Sequence, residues 1–248
     1  MPCDRTKPRT QQMWLFPLAF IGLTIFGPAL FADPVPCAEA TLATYDVSGY
    51  QCTIDGFTLD DFTLAESGTA SLLSDSEIEV TPTLTSSGIS VQFSAASGYA
   101  FNIPSGQNAQ YIIQYELDPQ LPTIGGEMVD TGSGDPVNLI GQFCGNGTFT
   151  GPYVSGQPTS CMGTDTNGIF PATVIVPGNN NSGSAVFPLP VTDLDSRLIL
   201  DMDGPASISS FGSTAEFSGV PEPSAALWLA PGMLGLMWLR KKRLANAQ

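Results

Sequence analysis

Histidine is absent from this 248-residue sequence, and its absence excludes several kinds of chemistry. Histidine is the usual general base and a common metal ligand, so the chain cannot build a Ser-His-Asp or Cys-His site or a typical zinc site. No phosphate-binding loop, dinucleotide fingerprint or nucleophile elbow is present either. Glycoside hydrolysis needs only two carboxylates, so this class of enzyme is not excluded. The sequence has so many acidic residues that no particular pair can be identified as catalytic. We therefore predict that the protein is not an enzyme.

Positive charge is nearly confined to the two ends of the chain. Of the 8 Lys and Arg residues, three lie within residues 5–9 and four within residues 240–243, which leaves Arg197 as the only cation between them. All 23 acidic residues except Asp4 and Glu222 lie in that same body, so 21 acids face one cation and its net charge is about −20. Such a surface repels phosphate, which excludes nucleic acid as a partner. It can attract divalent cations.

The N-terminal segment has the layout of a secretory signal peptide. A cationic stretch at residues 5–9 precedes an apolar stretch, and Ala32 offers a small residue for signal peptidase. Pro17 and Pro28 disfavour the alternative, an uncleaved membrane helix. We predict that residues 1–32 form a signal peptide and that the body faces the outside of the cell.

The C-terminal segment has three parts in a fixed order. The first is a short box formed by Val220, Pro221, Glu222 and Pro223. The second is the apolar run of about residues 225–239, shorter than the ~20 residues that usually span a bilayer, with a tryptophan near each end. The third is a basic stop formed by Arg240, Lys241, Lys242 and Arg243. The pattern predicts a short transmembrane helix with a cytoplasmic basic flank.

These three parts resemble the PEP-CTERM sorting tail of bacterial envelope proteins. In that family, exosortase, a membrane-embedded cysteine protease, recognises the tail, and processing occurs at or near the Pro-Glu-Pro box. The resemblance covers residues 220–248, and the sequence departs from the pattern only in residues 244–248 beyond the basic stop. It implies a membrane-anchored precursor that is sorted to the cell envelope, the cell surface or the extracellular space. An ordinary tail anchor is the alternative.

Four cysteines remain once the signal peptide, with Cys3, is set aside. An even number of cysteines in an exported protein indicates disulfides. Three connectivities are open, and we predict the local pairs Cys37 with Cys52 and Cys144 with Cys161. Each pair closes a loop of about 15 residues, which the chain-entropy relation values at ~3 kcal/mol.

The body, residues 33–219, consists of short alternating runs rich in β-branched and aromatic residues, separated by Gly, Pro, Ser and Asn. This pattern predicts an all-β fold, a single antiparallel β-sandwich or jelly-roll-like domain. The runs are 57–64, 77–80, 88–93, 111–117, 137–140, 148–150, 173–176, 185–187, 197–200 and 206–211. We predict loops at residues 123–136, where residues 127–129 could hide a short strand, and at residues 177–184. Asn146-Gly147 predicts a tight turn.

Calcium is the one metal that the acids of the body favour, and no other cofactor is expected. Two aspartate pairs lie at the ends of one predicted strand, and their oxygens are the ligands that Ca²⁺ prefers. The four candidates are Asp193, Asp195, Asp201 and Asp203. A strand of six residues is ~20 Å long, which is far for one shared ion. Exposed turn acids without a ligand explain the same pattern, as a surface ion pair explains Arg197 among them.

The favoured interpretation is an exported protein of the cell surface with a structural or adhesive role. Association with extracellular polysaccharide or biofilm matrix is what the tail resemblance implies. The alternative is a carbohydrate-binding or polysaccharide-modifying protein that depends on calcium. An exposed row of aromatic side chains would favour the alternative, and a smooth acidic surface would favour the structural role.

Replacing Pro221, Glu222 and Pro223 together by alanine tests the sorting hypothesis. We expect the precursor to accumulate in the membrane, because the processing enzyme would no longer recognise its box. Fractionation and immunoblotting of the tagged chain measure the processed share. Processing at the unchanged rate would contradict the resemblance.

Overall fold

The structure is a computed structural model, and it describes residues 35–119, 124–131, 137–155, 160–163, 169–178 and 182–218. The chain in these ranges is almost entirely β. The strands in order are β1 Val35–Pro36, β2 Ala40–Thr41, β3 Gln51–Ile54, β4 Phe57–Gly68, β5 Ile78–Leu84, β6 Gly88–Ala95, β7 Phe101–Ile103, β8 Asn108–Pro119, β9 Ile124–Thr131, β10 Asn138–Gly145, β11 Thr148–Phe149, β12 Cys161–Met162, β13 Phe170–Val176, β14 Ser182–Val191, β15 Leu194–Asp203, β16 Ala206–Ile208 and β17 Ser210–Phe217. One short helix, α1, covers Leu42–Tyr45, and a 3-10 helix covers Asp75–Glu77.

Two large sheets contain most of the strands. Sheet A has seven strands in the order β1-β3-β4-β8-β15-β10-β13, and sheet B has six in the order β14-β9-β17-β6-β5-β2. Neighbouring strands are antiparallel except β1 and β3, which run parallel. Two small sheets pair β11 with β12 and β7 with β16. The expectation of an all-β fold with antiparallel sheets is confirmed, apart from the short parallel pair at one edge.

The inner faces of the two sheets pack against each other. Tyr115 of sheet A hydrogen-bonds through its hydroxyl to Ser213 of sheet B, and its ring lies 6.1 Å from that of Phe93. At another point Phe57 of sheet A stacks on Phe217 of sheet B at 5.3 Å. Side chains of both sheets form one buried cluster, as expected of a β-sandwich.

The predicted loop at residues 123–136 is wrong over residues 124–131, and the short strand expected at residues 127–129 is part of a longer one. The predicted loop at residues 177–184 is wrong at residues 182–184, which begin β14. Residues 124–131 form β9, which pairs with both β14 and β17 inside sheet B. The Gly125-Gly126 pair suggested a turn, but at Gly126 a Cβ would lie 2.7 Å from the backbone oxygen of Ala185. Glycine is therefore needed there for close approach of two strands, one of the reasons for glycine inside a strand.

Both predicted disulfides are confirmed. Cys37 bonds to Cys52 and Cys144 bonds to Cys161. The predicted turn at Asn146-Gly147 is also found, because Asn146 has a φ of 59° between β10 and β11.

The terminal segments lie outside the described residues. This holds for the signal peptide, the Pro-Glu-Pro box, the apolar run and the basic stop. Among the residues that are described, no helix is long and apolar enough to cross a membrane.

Glu127 is buried between the sheets, an unusual place for an acid. Its side chain is 1% exposed, and neither carboxyl oxygen has a hydrogen-bond partner of good geometry. Burial raises the pKa of Glu127 well above its ordinary value, and the negative charge of Glu216 raises this pKa further. The nearby Ser213 hydroxyl lowers it by a smaller amount. The folded protein therefore holds this carboxyl in its neutral form.

We expect Glu127→Gln to stabilise the fold at pH 8 and to have little effect at pH 4. The pKa of Glu127 is higher in the folded than in the unfolded chain, so its contribution to stability is complete at low pH. As the pH rises above the pKa of Glu127 in the unfolded chain, this contribution to the free energy of unfolding falls by ~1.4 kcal/mol per pH unit, until the pKa in the folded chain is reached. Thermal unfolding at the two pH values measures the effect.

The matched control is Glu79→Gln on β5, which changes an acid that is only partly buried. It should shift the melting temperature equally at both pH values. A Glu127→Gln protein no more stable than wild type at pH 8 would contradict a neutral buried carboxyl.

Candidate cation site

Three carboxylates stand side by side on the outer face of sheet A. Strand register places Asp60 of β4 directly opposite Glu116 of β8, and Glu116 directly opposite Asp195 of β15. The neighbouring leucines point the other way, into the core: Leu59, Leu117 and Leu194. Because side chains alternate along a strand, the leucines direct all three acids to the outer face.

A β-bulge adds a fourth acid. The pairing of β4 with β8 shifts between Asp60 and Thr63, and Asp61 in this interval has a φ of 49°. A bulge breaks the alternation of a strand, so consecutive side chains need not point to opposite faces. Carboxylate oxygens of Asp60, Asp61 and Glu116 all lie within 4.8 Å of one another.

Two more acids extend the cluster along β8 and the turn before β15. Asp118 follows Glu116 on the same face of β8, and Asp193 precedes Leu194. Asp118 and Asp193 are hydrogen-bonded to each other, and burial raises the pKa of both carboxyls. We refer to the six residues as the acidic cluster: Asp60, Asp61, Glu116, Asp118, Asp193 and Asp195.

Several oxygens of the acidic cluster are buried without a partner. Asp60 is 7% exposed and Asp195 is 1% exposed, and the Oδ1 atom of each has no hydrogen-bond partner. Asp193 Oδ1 is buried and unpartnered as well. An unsatisfied buried carboxylate oxygen costs free energy, more than an unsatisfied neutral group does. A bound cation would remove this cost.

Mutual repulsion is visible in the pKa values of the cluster. Burial, followed by the charges of Asp195 and Asp193, raises the pKa of Glu116 to about 7. Burial and neighbouring carboxylates raise the pKa of Asp193 to about 6, and burial raises that of Asp195 to about 6 despite three favourable contacts. These groups thus share protons near neutral pH, and a divalent cation would compete with those protons.

The second oxygen of each buried aspartate is firmly held. Gln51 Nε2 donates to Asp60 Oδ2 at 2.7 Å. Asp195 Oδ2 accepts from the backbone N–H of Phe149 at 2.8 Å and from Gln114 Nε2 at 3.1 Å. One oxygen of each carboxylate is therefore fixed by protein donors, while the other stays open to a ligand.

The β11–β12 hairpin covers the Asp195 side of the cluster. The Cys144–Cys161 disulfide ties its second strand to β10. Arg197 lies under the hairpin, 4.2 Å from the centre of the Phe149 ring, and its Nη2 donates to the Gly151 carbonyl at 2.8 Å. Arg197 is 5% exposed, so the expectation of a surface ion pair is wrong: its nearest partners are an aromatic ring, a carbonyl and a glutamine.

The structure separates the four aspartates that the sequence suggested for calcium. Asp193 and Asp195 belong to the acidic cluster, whereas Asp201 and Asp203 lie at the far end of β15. Asp201 accepts a hydrogen bond from Gln110 at 2.6 Å. Six residues of strand, ~20 Å, separate Asp195 from Asp201, so one ion cannot bind both pairs.

Sequence reasoning missed the cluster members on β4 and β8. The available signal was Asp60-Asp61 inside the alternating run 57–64, since two adjacent acids in a half-buried strand suggest a bulge. Glu116 gives no such signal, because its role depends on the register with two distant strands.

The arrangement fits an ion better than a sugar ring stacked on the sheet. Among the strongly exposed large apolar side chains of the described residues, Tyr99 is the one aromatic. The exposed aromatic row that would favour sugar stacking is therefore not found in those ranges. Hard carboxylate oxygens in a chain without histidine are ligands that suit Ca²⁺.

Comparisons with known proteins identify no family. No protein-family profile and no curated protein matches this chain. Weakly similar solved structures include TmCBM61 in complex with beta-1,4-galactotriose, at 11% identity and a TM-score of 0.31, over 62% of this chain and 88% of that one. The family 11 carbohydrate-binding module from Clostridium thermocellum, with a mixed-linked tetrasaccharide, has 9% identity and a TM-score of 0.24, over 71% and 92% of the two chains. Scores this low support no argument about ligand or function.

In the presence of a chelator, we expect Glu116→Gln to raise the melting temperature at pH 8 but not at pH 4. The pKa of Glu116 is raised in the folded state, so its contribution to stability is complete at low pH and is lost as pH rises through about 7. Removing its charge relieves the repulsion only where the group would be ionised. Differential scanning calorimetry measures the shift.

Asp203→Asn is the matched control, because it removes an exposed acid at the far end of β15. We expect no difference between the two pH values for this variant. Equal effects of Glu116→Gln at both pH values would contradict the repulsion.

Proposed function

We propose that this chain is an exported cell-surface protein whose β-sandwich binds Ca²⁺ through Asp60, Asp61 and Glu116. The observation that carries the proposal is the acidic cluster with its buried, unpartnered oxygens. Asp118, Asp193 and Asp195 surround the three ligands and add negative potential. Arg197 is the only cation of the body and offsets part of the charge of Asp195, so a bound cation is the simplest means of neutralising the remaining charges of the cluster.

Export is supported by three features of the sequence and fold. The two disulfides fit an oxidising compartment. The predicted signal peptide and the PEP-CTERM-like tail supply entry and sorting, with signal peptidase and exosortase as the partners during export. Outside the cell, calcium is abundant enough for sites with dissociation constants of ~10⁻⁴ to 10⁻³ M to be filled.

The role we propose is structural or adhesive, in contact with extracellular polysaccharide, and not enzymatic. The chain lacks histidine, and its carboxylates form a crowded cluster whose members share protons. A bound ion would fix the relative positions of β4, β8 and β15 and stabilise the domain at the cell surface.

Calcium should raise the melting temperature of the purified full chain. A ligand at 100 times its dissociation constant stabilises by ~2.7 kcal/mol, which corresponds to ~5–10 °C for a domain of this size. The effect should be larger at pH 8 than at pH 5.5, because the ligand Glu116, whose pKa is raised to about 7, must lose its proton before it binds the ion. Calorimetric titration gives the affinity, and Mg²⁺ should bind more weakly because the site is irregular.

Asp60→Asn and Asp61→Asn should each weaken calcium binding by at least about tenfold, because mutation even of outer-shell partners of metal ligands costs about 10- to 100-fold in affinity. Asp201→Asn, which changes an aspartate hydrogen-bonded far from the cluster, is the control and should bind as wild type does. The proposal fails if wild type shows neither binding heat nor a change in melting temperature with Ca²⁺.

A further inference from the structure

A cavity of about 390 Å³ adjoins the acidic cluster. Asp61 belongs to both, since its carboxylate lies beside those of Asp60 and Glu116 and the residue also lines the cavity. The volume is within the usual range for small-molecule sites. A molecule in this cavity would therefore lie next to any ion held by the cluster.

The cavity exists because β3 leaves β4 at the bulge. In the described residues, β3 pairs with β4 from Ile54 opposite Phe57 to Gln51 opposite Asp60, and no further. Beyond Asp60 the turn after α1 forms the other wall, with Asp46, Val47 and Ser48 in the lining. The bulge thus ends the strand pairing and also brings Asp61 to the mouth of the opening.

The walls have an apolar floor and a polar rim. Tyr45 and Phe62, both almost fully buried, close the floor, with ring centres 4.8 Å apart. Asp46, Ser48 and Thr63 lie around the rim. A mixed lining of this kind suits a ligand with both apolar and hydroxyl-bearing faces.

Two polar side chains of the lining are already engaged and stabilise the walls. The Tyr45 hydroxyl donates to the Ala38 carbonyl at 2.6 Å. Gln114 donates through Nε2 to Asp195 and accepts from Arg197 Nη2 at 3.0 Å through Oε1. Both residues are therefore occupied by the protein, and a ligand would meet the rim residues and the ion.

Charge decides which ligands can enter. The lining includes Asp46 and Asp61 and no Lys or Arg. One divalent cation cannot neutralise six clustered carboxylates, so the region keeps a negative potential even when it is filled. An anionic sugar such as a uronate is repelled, whereas a neutral sugar is not.

We infer that this cavity binds a neutral saccharide, and that two adjacent hydroxyl groups of the sugar complete the coordination shell of the Ca²⁺ held by Asp60, Asp61 and Glu116. The inference rests on the proposed calcium site and names its ligand class. Ca²⁺ takes 6–8 oxygen ligands, and three carboxylates that bind partly through single oxygens supply about 3–5 of them. Because Asp61 also lines the cavity, a molecule bound there lies next to these ligands and can supply the remaining oxygens.

Saturation-transfer NMR on the purified full chain tests the inference, with methyl α-D-mannopyranoside and methyl β-D-galactopyranoside as probes. We expect transfer to at least one probe in millimolar Ca²⁺, and none in a chelator. The fully O-methylated glycosides should give no signal, because they lack the hydroxyl pair. Trigalacturonate, the charged probe, should bind more weakly than the neutral probes.

Ser48→Trp is the variant that separates the sugar from the ion. It fills the cavity from an exposed turn position and leaves the three carboxylates in place. We expect loss of the sugar signal and an unchanged calcium affinity by calorimetry. Thr63→Ala, which deletes one rim hydroxyl without filling space, should weaken the signal without abolishing it.

The outcomes of the two proposals are distinguishable. If calcium binds and neither neutral sugar gives a signal, the saccharide inference is overturned while the calcium site stands. The same holds if the signal persists in chelator or in Ser48→Trp, or if trigalacturonate binds more tightly. If calcium itself does not bind, both the proposed calcium site and the saccharide inference that rests on it are overturned.

Discussion

The strand register of sheet A holds several carboxylates side by side, and these carboxylates repel one another. The structure around them limits this repulsion. Asp60, Glu116 and Asp195 cannot move apart without breaking the pairing of β4, β8 and β15. The neighbouring structure limits the cost by supplying donors to single oxygens and by covering one side with the β11–β12 hairpin. Arg197, the only cation of the body, lies below that hairpin and contributes attraction to Asp195.

The same strands carry the core on their other face. A continuous series of aromatic contacts runs through the sandwich from the floor of the cavity to the far end: Tyr45, Phe62, Tyr115, Phe93, Phe211, Phe101 and Tyr111. Phe62, the second ring of this series, directly follows Asp61 in the chain. The bulge therefore serves both faces, since it anchors an aromatic ring inside and presents an acid outside. This explains how a left-handed, non-glycine residue is tolerated in the strand.

Much of the fold could be predicted from the sequence because its signals are local. Alternation in runs such as 111–117 and 197–200 depends on neighbours along the chain, and the two disulfides join cysteines close in sequence. The failure at β9 has a physical reason, because glycine is required there by the approach of another strand. The acidic cluster was only half predictable. Asp193 and Asp195 can be recognised as a pair because they are close in the sequence. Glu116 lies next to Asp195 only because of the register between β8 and β15, which no local sequence pattern predicts.

The two disulfides close the loops that flank the acidic cluster and the cavity. The loop closed by Cys37 and Cys52 contains α1 and the turn at residues 46–49, which form one wall of the cavity. The loop closed by Cys144 and Cys161 contains Phe149 and Gly151, which cover the opposite side of the cluster. Each disulfide thus restrains one flank of the site, while the central strands are held by their own pairing. Formation of the two disulfides therefore restrains both sides of the enclosure around the carboxylates, in addition to stabilising the fold.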